Sequence, residues 1–203
     1  MTEERLTDAV RELVEQVVAG AAPEDALAVA AEAVRAATRR LREAGAPRAL
    51  SFELDGAGPD RSEYRRLNPV SGALNPLAPP LRWERVRDGT VEASVTFGVA
   101  YQGPPGYVHG AFIAGAFDDA LGLANLASGN PGMTVKLEVR YRRATPLSAP
   151  LRIVARHTGR EGRRIFATGT MLAGDEVTAE ADGVFAEITP ERAAALFVRR
   201  EGT

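Results

Sequence analysis

His109-Gly-Ala-Phe-Ile-Ala-Gly-Ala-Phe-Asp-Asp-Ala-Leu-Gly-Leu-Ala-Asn-Leu-Ala127 is apolar or small at nearly every position. A helix that is hydrophobic all round belongs inside a protein. Two carboxylates nevertheless stand at its middle, Asp118 and Asp119. An acid held away from water is costly unless it is paired, and its pKa tends to rise. Such a cost is often tolerated where chemistry is done. The approach, Tyr101-Gln-Gly-Pro-Pro-Gly-Tyr-Val-His109-Gly110, is a rigid turn that delivers a His-Gly pair to the helix start. The unpaired N–H groups and the dipole of a helix N-terminus favour negative charge. An anion-favouring turn and a buried acid on one helix are the parts that acyl transfer needs.

On both sides of this helix the hydrophobic period is two. Val91, Ala93, Val95, Phe97 and Val99 alternate with Glu92, Ser94, Thr96 and Gly98, the pattern of a half-buried strand over 91–99. Arg87-Asp88-Gly89 is a hairpin turn joining it to a strand over 81–86. After the helix, Val135, Leu137, Val139 and Tyr141 alternate with Lys136, Glu138, Arg140 and Arg142. Further strands are expected over 151–158, 164–172 and 177–188, with turns at Gly159–Gly162 and Ala173–Glu176. Gly183 reads as a bulge in the last of them. Strands joined by turns this short are antiparallel. The apolar helix is the natural cover for one face of their sheet, giving an α+β domain over 81–189.

Upstream, Leu6, Val10, Leu13, Val14, Val17 and Val18 mark an amphipathic helix over 3–19. A second helix starts at Pro23, carries Glu24 and Asp25 in its first turn, and stops before Gly45 and Pro47. Together they read as a helical hairpin extension over 1–46, able to dock on the domain or on another subunit. Residues 47–80, punctuated by proline and glycine, read as an irregular arm on the domain surface. Thr189-Pro190-Glu191 opens a short C-terminal helix within 190–203.

The bulk numbers prune the function classes. A formal net charge of −2 over 203 residues gives no global reason to expect nucleic acid as a partner. The absence of cysteine excludes disulfides, a thiol nucleophile and thiolate metal sites. The two histidines, His109 and His157, form no metal-binding spacing, so no metal is expected. No dinucleotide or phosphate-loop fingerprint calls for a cofactor, and no Gly-x-Ser-x-Gly elbow calls for a serine hydrolase. No apolar run is long enough for a membrane span, and the first residues lack a secretory signal, so a cytoplasmic location is expected.

Thioester hydrolysis needs donors for the developing oxyanion and a group that activates water or attacks the carbonyl. A helix start and a carboxylate supply both. His109 and Asp118 are nine residues apart, about 2.5 turns of helix, and cannot face one point from a single helix. Either the loop redirects His109 or two copies of the chain share a site. The residues alone leave His109 open as a cap or core residue, and His157 reads as structural. Asp118 and Asp119 lie roughly 100° apart around the helix, and the pattern does not choose between them.

Taken together, the Tyr101–Ala111 turn, Asp118, and Met133-Thr-Val-Lys-Leu-Glu-Val-Arg-Tyr-Arg-Arg143 resemble the hotdog-fold acyl-CoA thioesterases of the 4HBT superfamily, in their phenylacetic-acid-pathway (PaaI) and THEM4-like branch. The resemblance runs from about 68 to 188. It implies an antiparallel sheet wrapped around a long helix, an acyl-CoA or other acyl thioester as substrate, and a homodimer or dimer of dimers. It implies Asp118 as the catalytic carboxylate, His109 and Gly110 as the oxyanion turn with Ala111 beside them, and Thr134 opposite the acid. Gln102 falls where the family places a polar residue before the turn, and Arg140, Arg142 and Arg163 are candidates for contacts to CoA. One departure is Ala111, where the family has a second glycine; alanine keeps the N–H but disfavours positive φ. The alternative expectation is a hotdog domain that binds an acyl thioester without cleaving it.

Overall fold

The structure is a computed structural model that describes residues 2–45 and 63–189. The expected C-terminal helix and the first part of the arm lie outside the described residues. In chain order the elements are α1 (Thr2–Ala19), α2 (Glu24–Ala44), α3 (Glu63–Arg66), β1 (Arg82–Arg87), β2 (Thr90–Val95), a 3-10 turn (Val99–Tyr101), α4 (Gly110–Ala127), β3 (Gly132–Tyr141), β4 (Leu151–Glu161), β5 (Arg164–Ala173) and β6 (Glu176–Glu187). The strands form one antiparallel sheet in the order β1-β2-β4-β5-β6-β3. Strand β3 therefore stands at one edge, bonded among the described residues to β6 alone.

The alternating sequence becomes an alternating sheet. Val91, Ala93 and Val95 of β2, Ile153 and Ala155 of β4, and Ile165 and Met171 of β5 point inward and are buried. Helix α4 lies across that face and buries Ile113, Phe117, Leu121 and Ala124 among them. Phe117, Phe97 and Phe185 are the largest fully buried side chains, so helix, loop and last strand meet in one core. The hairpin turn forms where expected, with Asp88 at φ 49° and Gly89 at φ 73°, the left-handed pair that a two-residue turn between twisted strands requires.

Three local expectations change. The strand expected over 91–99 ends at Val95, and residues 99–101 turn as a 3-10 helix whose first N–H groups bond to a side chain of α1. Gly183 is not a bulge: it pairs in register with Ala167 and Leu137. Glycine is needed there because a Cβ would stand 2.6 Å from the Phe185 ring and 3.0 Å from Leu121. The register shifts instead between Trp83 and Arg85, Thr134 and Lys136, His157 and Gly159, and Met171 and Leu172. Pro23 caps α2 rather than starting it, and none of α2's residues is buried.

Helix α1 docks through polar groups. Thr7 is buried and its hydroxyl donates to the Leu74 carbonyl at 3.3 Å. The Arg11 guanidinium donates to the carbonyls of Gly72, Asn75 and Ala78 at 3.0–3.3 Å. These bonds fasten α1 to the arm, and the arm in turn lies on α4, where a Cβ at Gly115 would stand 3.1 Å from Val70. Among the described residues no helix is long and apolar enough to cross a membrane.

Candidate active site

The approach turn is held shut on itself. Gly103 N–H donates to Tyr107 O at 2.9 Å, Gln102 bridges Val108 in antiparallel fashion, and Gly106 sits at φ 82°. The Gln102 side chain accepts from Gly106 N–H at 3.2 Å, so its amide holds the turn together. His109 N–H donates to Tyr101 O at 2.9 Å, which sets the angle at which the chain enters α4.

His109 is the N-cap of α4. Its Nδ1 accepts from Ala111 N–H at 3.1 Å, which makes Nδ1 the unprotonated ring nitrogen and leaves Nε2 to carry the proton. The Ala111 N–H is thus occupied by the cap, whereas the Gly110 N–H has no partner among the described residues. Gly110 is fixed from the other side: the Tyr141 hydroxyl donates to its carbonyl at 2.9 Å. Sequence reasoning does not single out Tyr141. Its place on an alternating strand carries no sign of that contact, which joins residues 31 positions apart.

The two acids diverge as their 100° separation demands. Asp118 is half-buried and accepts at Oδ1 from the Thr134 hydroxyl at 2.7 Å. That bond ties the middle of α4 to the start of β3, beside the bulge between Thr134 and Lys136. Asp119 turns inward. Its Oδ2 is buried without a hydrogen-bond partner among the described residues, and its Oδ1 accepts from Asn68 Nδ2 at 3.4 Å. Burial pushes its carboxyl above the ordinary range, with the Asp118 charge adding to the rise; the nearby Ser71 hydroxyl, the charge of Arg65 and the Asn68 amide oppose it. The buried acid that the sequence leads one to expect is therefore Asp119, while Asp118 faces the open side of the helix. Asn68 also accepts from the N–H groups of Val70 and Ser71, and this turn presents the arm to Asp119.

A cleft of about 470 Å³ opens at the start of α4, lined by Tyr107, Gly110, Ile113, Tyr141, Arg142 and Arg143 among others. Thr145, whose buried hydroxyl has no partner among the described residues, lines it too. The arginines differ in availability. Arg140 is bonded to Asp182 and to Glu138. Arg142 reaches the cleft while holding Glu180 at 2.6 Å. Arg143 pairs loosely with Glu176 at 3.8 Å. Arg163, in the β4–β5 turn, is exposed and has no side-chain partner among the described residues. His157 has a structural partner: its Nδ1 lies 2.8 Å from Oδ1 of the fully buried Asn125 on α4. Among the described residues no cluster of His, Asp and Glu is placed to hold a metal.

Residues 105–180 match the family model of the Thioesterase superfamily. A stretch of 97 residues is 33% identical to the acyl-coenzyme A thioesterase THEM4 of Mus musculus, covering 47% of this chain and 42% of that protein. The chain thus spans less than half the length of the curated relatives it matches. The structure superposes with a TM-score of 0.50 on a hypothetical thioesterase from Streptococcus pneumoniae TIGR4 solved with coenzyme A, at 18% identity over 53% of this chain and 87% of that one, a likeness of fold. It superposes with a TM-score of 0.80 on the crystal structure of RHA08564, a thioesterase superfamily protein, at 35% identity over 91% of this chain and 94% of that one. With one sheet wrapped around α4 and a relative at that identity matched over more than nine-tenths of both chains, the chain belongs to the thioesterase superfamily and has its hotdog fold.

Proposed function

We propose that this chain hydrolyses acyl-CoA thioesters to free acid and CoA, with Asp118 as general base or nucleophile. The observation that carries the reading is the Asp118–Thr134 bond, which aims a carboxylate out of the apolar helix. Thr134 engages one carboxylate oxygen, and the other is available to a water or to the carbonyl carbon itself. The thioester oxygen is held at the start of α4, where the Gly110 N–H and the helix dipole oppose the charge that develops on it. His109 Nε2–H lies on the same turn as a second donor, and Ala111 N–H joins them if His109 swings off its cap.

Gly110 and Asp118 are eight residues apart on one helix, about 12 Å along its axis, too far to act on one carbonyl. Two protomers resolve this. Among the described residues the outer edge of β3 is unpaired, and it carries Met133, Val135 and Tyr141 exposed. Thr134, near one end of β3, holds Asp118, and Tyr141, at the other end, holds Gly110. Antiparallel pairing of two β3 strands about an axis between Leu137 and Glu138 lays the Thr134 end of one protomer against the Tyr141 end of its partner. Each acid then meets the other protomer's turn, and a homodimer holds two complete sites. Arg142 and Arg163 supply cations for the phosphates of CoA, while Arg140 stays engaged with Asp182 and Glu138 on the sheet. The CoA-bound Streptococcus structure and the acyl-coenzyme A thioesterase relatives support this choice of substrate class.

A second reading, binding without cleavage, draws on the occupied Ala111 N–H. One assay separates the two. Purified chain is mixed with a panel of aliphatic and aromatic acyl-CoAs and thiol release is followed, alongside binding by calorimetry. Release that vanishes in Asp118→Ala supports hydrolysis; tight binding with no release from any acyl-CoA rejects it.

A further inference from the structure

Helix α1 is turned the wrong way round for a helix whose purpose is to add hydrophobic core. An amphipathic helix ordinarily buries its apolar stripe. Here Leu13, Val17 and Val18 are exposed, and the line Thr7, Arg11, Glu15 faces the domain at i, i+4, i+8. Thr7 and Arg11 bond to the arm, as described. Glu15 reaches further. Its Oε2 accepts from Val99 N–H at 2.9 Å and its Oε1 from Ala100 N–H at 3.4 Å. These are the opening N–H groups of the 3-10 turn, which has no side-chain cap of its own. The preceding residue leaves room for nothing else: a Cβ on Gly98 would collide with the Glu15 carboxylate.

The turn that Glu15 caps is the one that holds the oxyanion turn. Tyr101, its last residue, accepts from His109 N–H at 2.9 Å. The Tyr101 ring packs edge-on against Phe112 in the first turn of α4, with centroids 4.8 Å apart, and against Phe97 at 5.7 Å. Phe112 N–H in turn donates to His109 O at 3.0 Å. A continuous path therefore runs from the Glu15 carboxylate through Val99 and Ala100 to the Tyr101 carbonyl, and from there to the backbone of His109 at the mouth of α4.

We propose that Glu15 is a positioning residue for the acyl site: an appended helix reaches 84 residues along the chain to clamp the 3-10 turn and so sets where the His109–Gly110 backbone meets a thioester. The role rests on the reading of the α4 N-terminus as the oxyanion site. Arg11, one turn earlier on α1, supplies the other half of the device, because three carbonyl contacts to the arm keep α1 from sliding.

The test compares wild type, Glu15→Ala, Glu15→Gln and a control, Glu12→Ala, in the full chain. Amide hydrogen exchange reads the coupling without any need for activity. In Glu15→Ala, exchange at Val99, Ala100 and His109 is expected to quicken about tenfold or more, the size expected for losing hydrogen bonds to a charged acceptor. The β4–β5 ladder should keep its protection, and Glu12→Ala should behave as wild type. Glu15→Gln, which keeps an acceptor oxygen, should recover part of the effect. In acyl-CoA hydrolysis, kcat should fall about tenfold while KM moves less than about twofold. If Val99 and Ala100 quicken but His109 does not, the turn holds His109 without help and the proposal is wrong. It is equally wrong if every amide, the ladder included, quickens together, because Glu15 then serves only global stability. Should Glu15→Ala not fold, Glu15→Gln carries the same comparison. A wild-type chain that hydrolyses nothing overturns the hydrolase reading, and the exchange result then decides the clamp on its own.

Discussion

The Thr134 hydroxyl donates to the Asp118 carboxylate across 2.7 Å, and this bond spans the gap between the central helix and the edge strand. It places the acid at an edge of the sheet that another molecule can reach by backbone pairing. Removing the acid should remove the chemistry and spare the fold, since Asp118 is only half-buried. Asp118→Ala is expected to lower kcat by about 10²–10⁴-fold, the usual contribution of a positioned base. Thr134→Ala should lower it by roughly 10- to 100-fold, the cost of one hydrogen bond to a charged group. Steady-state kinetics with circular dichroism on the same samples checks both, and a fully active Asp118→Ala would end the assignment.

Asp119 makes the opposite prediction, about stability. Burial raises its pKa in the folded state, so the native chain keeps this proton over a range of pH where the unfolded chain has lost it. The group's stabilising contribution is complete below the unfolded carboxylate pKa, about 4, and is lost as pH rises through the folded value. Asp119→Asn keeps an acceptor for Asn68 and has no charge to bury. Its melting temperature should exceed that of wild type at neutral pH, and the gap should close as pH falls toward about 4. A gap that widens on acidification would show that the carboxylate is welcome where it sits.

The β3 edge can be blocked with one charge. Val135 is 67% exposed on it. Val135→Lys should leave the protomer folded, because edge lysines are tolerated in water, and should prevent pairing of two such edges. Sedimentation is expected to show a monomer, and hydrolysis should be lost although no residue of the site is changed. An active monomer would contradict the shared site.

Gly183 tests the packing of the helix on the sheet. An alanine there would press its Cβ within 2.6 Å of the Phe185 ring. Overpacking of this kind costs about 1–3 kcal/mol, which urea denaturation resolves. Gly174, at φ 60° in an open turn where an added Cβ would meet no heavy atom within 4 Å, should respond through backbone strain alone and by a smaller amount.

Arg163 is exposed in the β4–β5 turn. If it meets a CoA phosphate, Arg163→Ala should raise KM several-fold and leave kcat unchanged, and the difference from wild type should shrink as salt screens the contact. Arg140→Ala should instead act mainly on the strand, since its guanidinium is engaged with Asp182 and Glu138.

What the sequence determined by itself is what repeats locally. The all-apolar run required a buried helix, the two-residue alternation over Val91–Val99 and Val135–Arg142 required strands of a sheet with one covered face, although the first of these stops at Val95, and Asp88-Gly89 required a tight hairpin. Periodicity and turn chemistry are properties of neighbouring residues, so they are legible before folding. The pairing of Asp118 with Thr134 was likewise within reach, through a resemblance between whole motifs. The tertiary structure alone decided which of two adjacent acids is buried, since 100° of helix rotation means nothing until the arm lies on one side and the strand edge on the other. It alone decided that Tyr141 fixes Gly110 and that Glu15 caps the turn that follows β2, which stops at Val95. Those partners are 31 and 84 residues apart, and no local pattern records a contact that exists only once distant segments of the chain have been brought together.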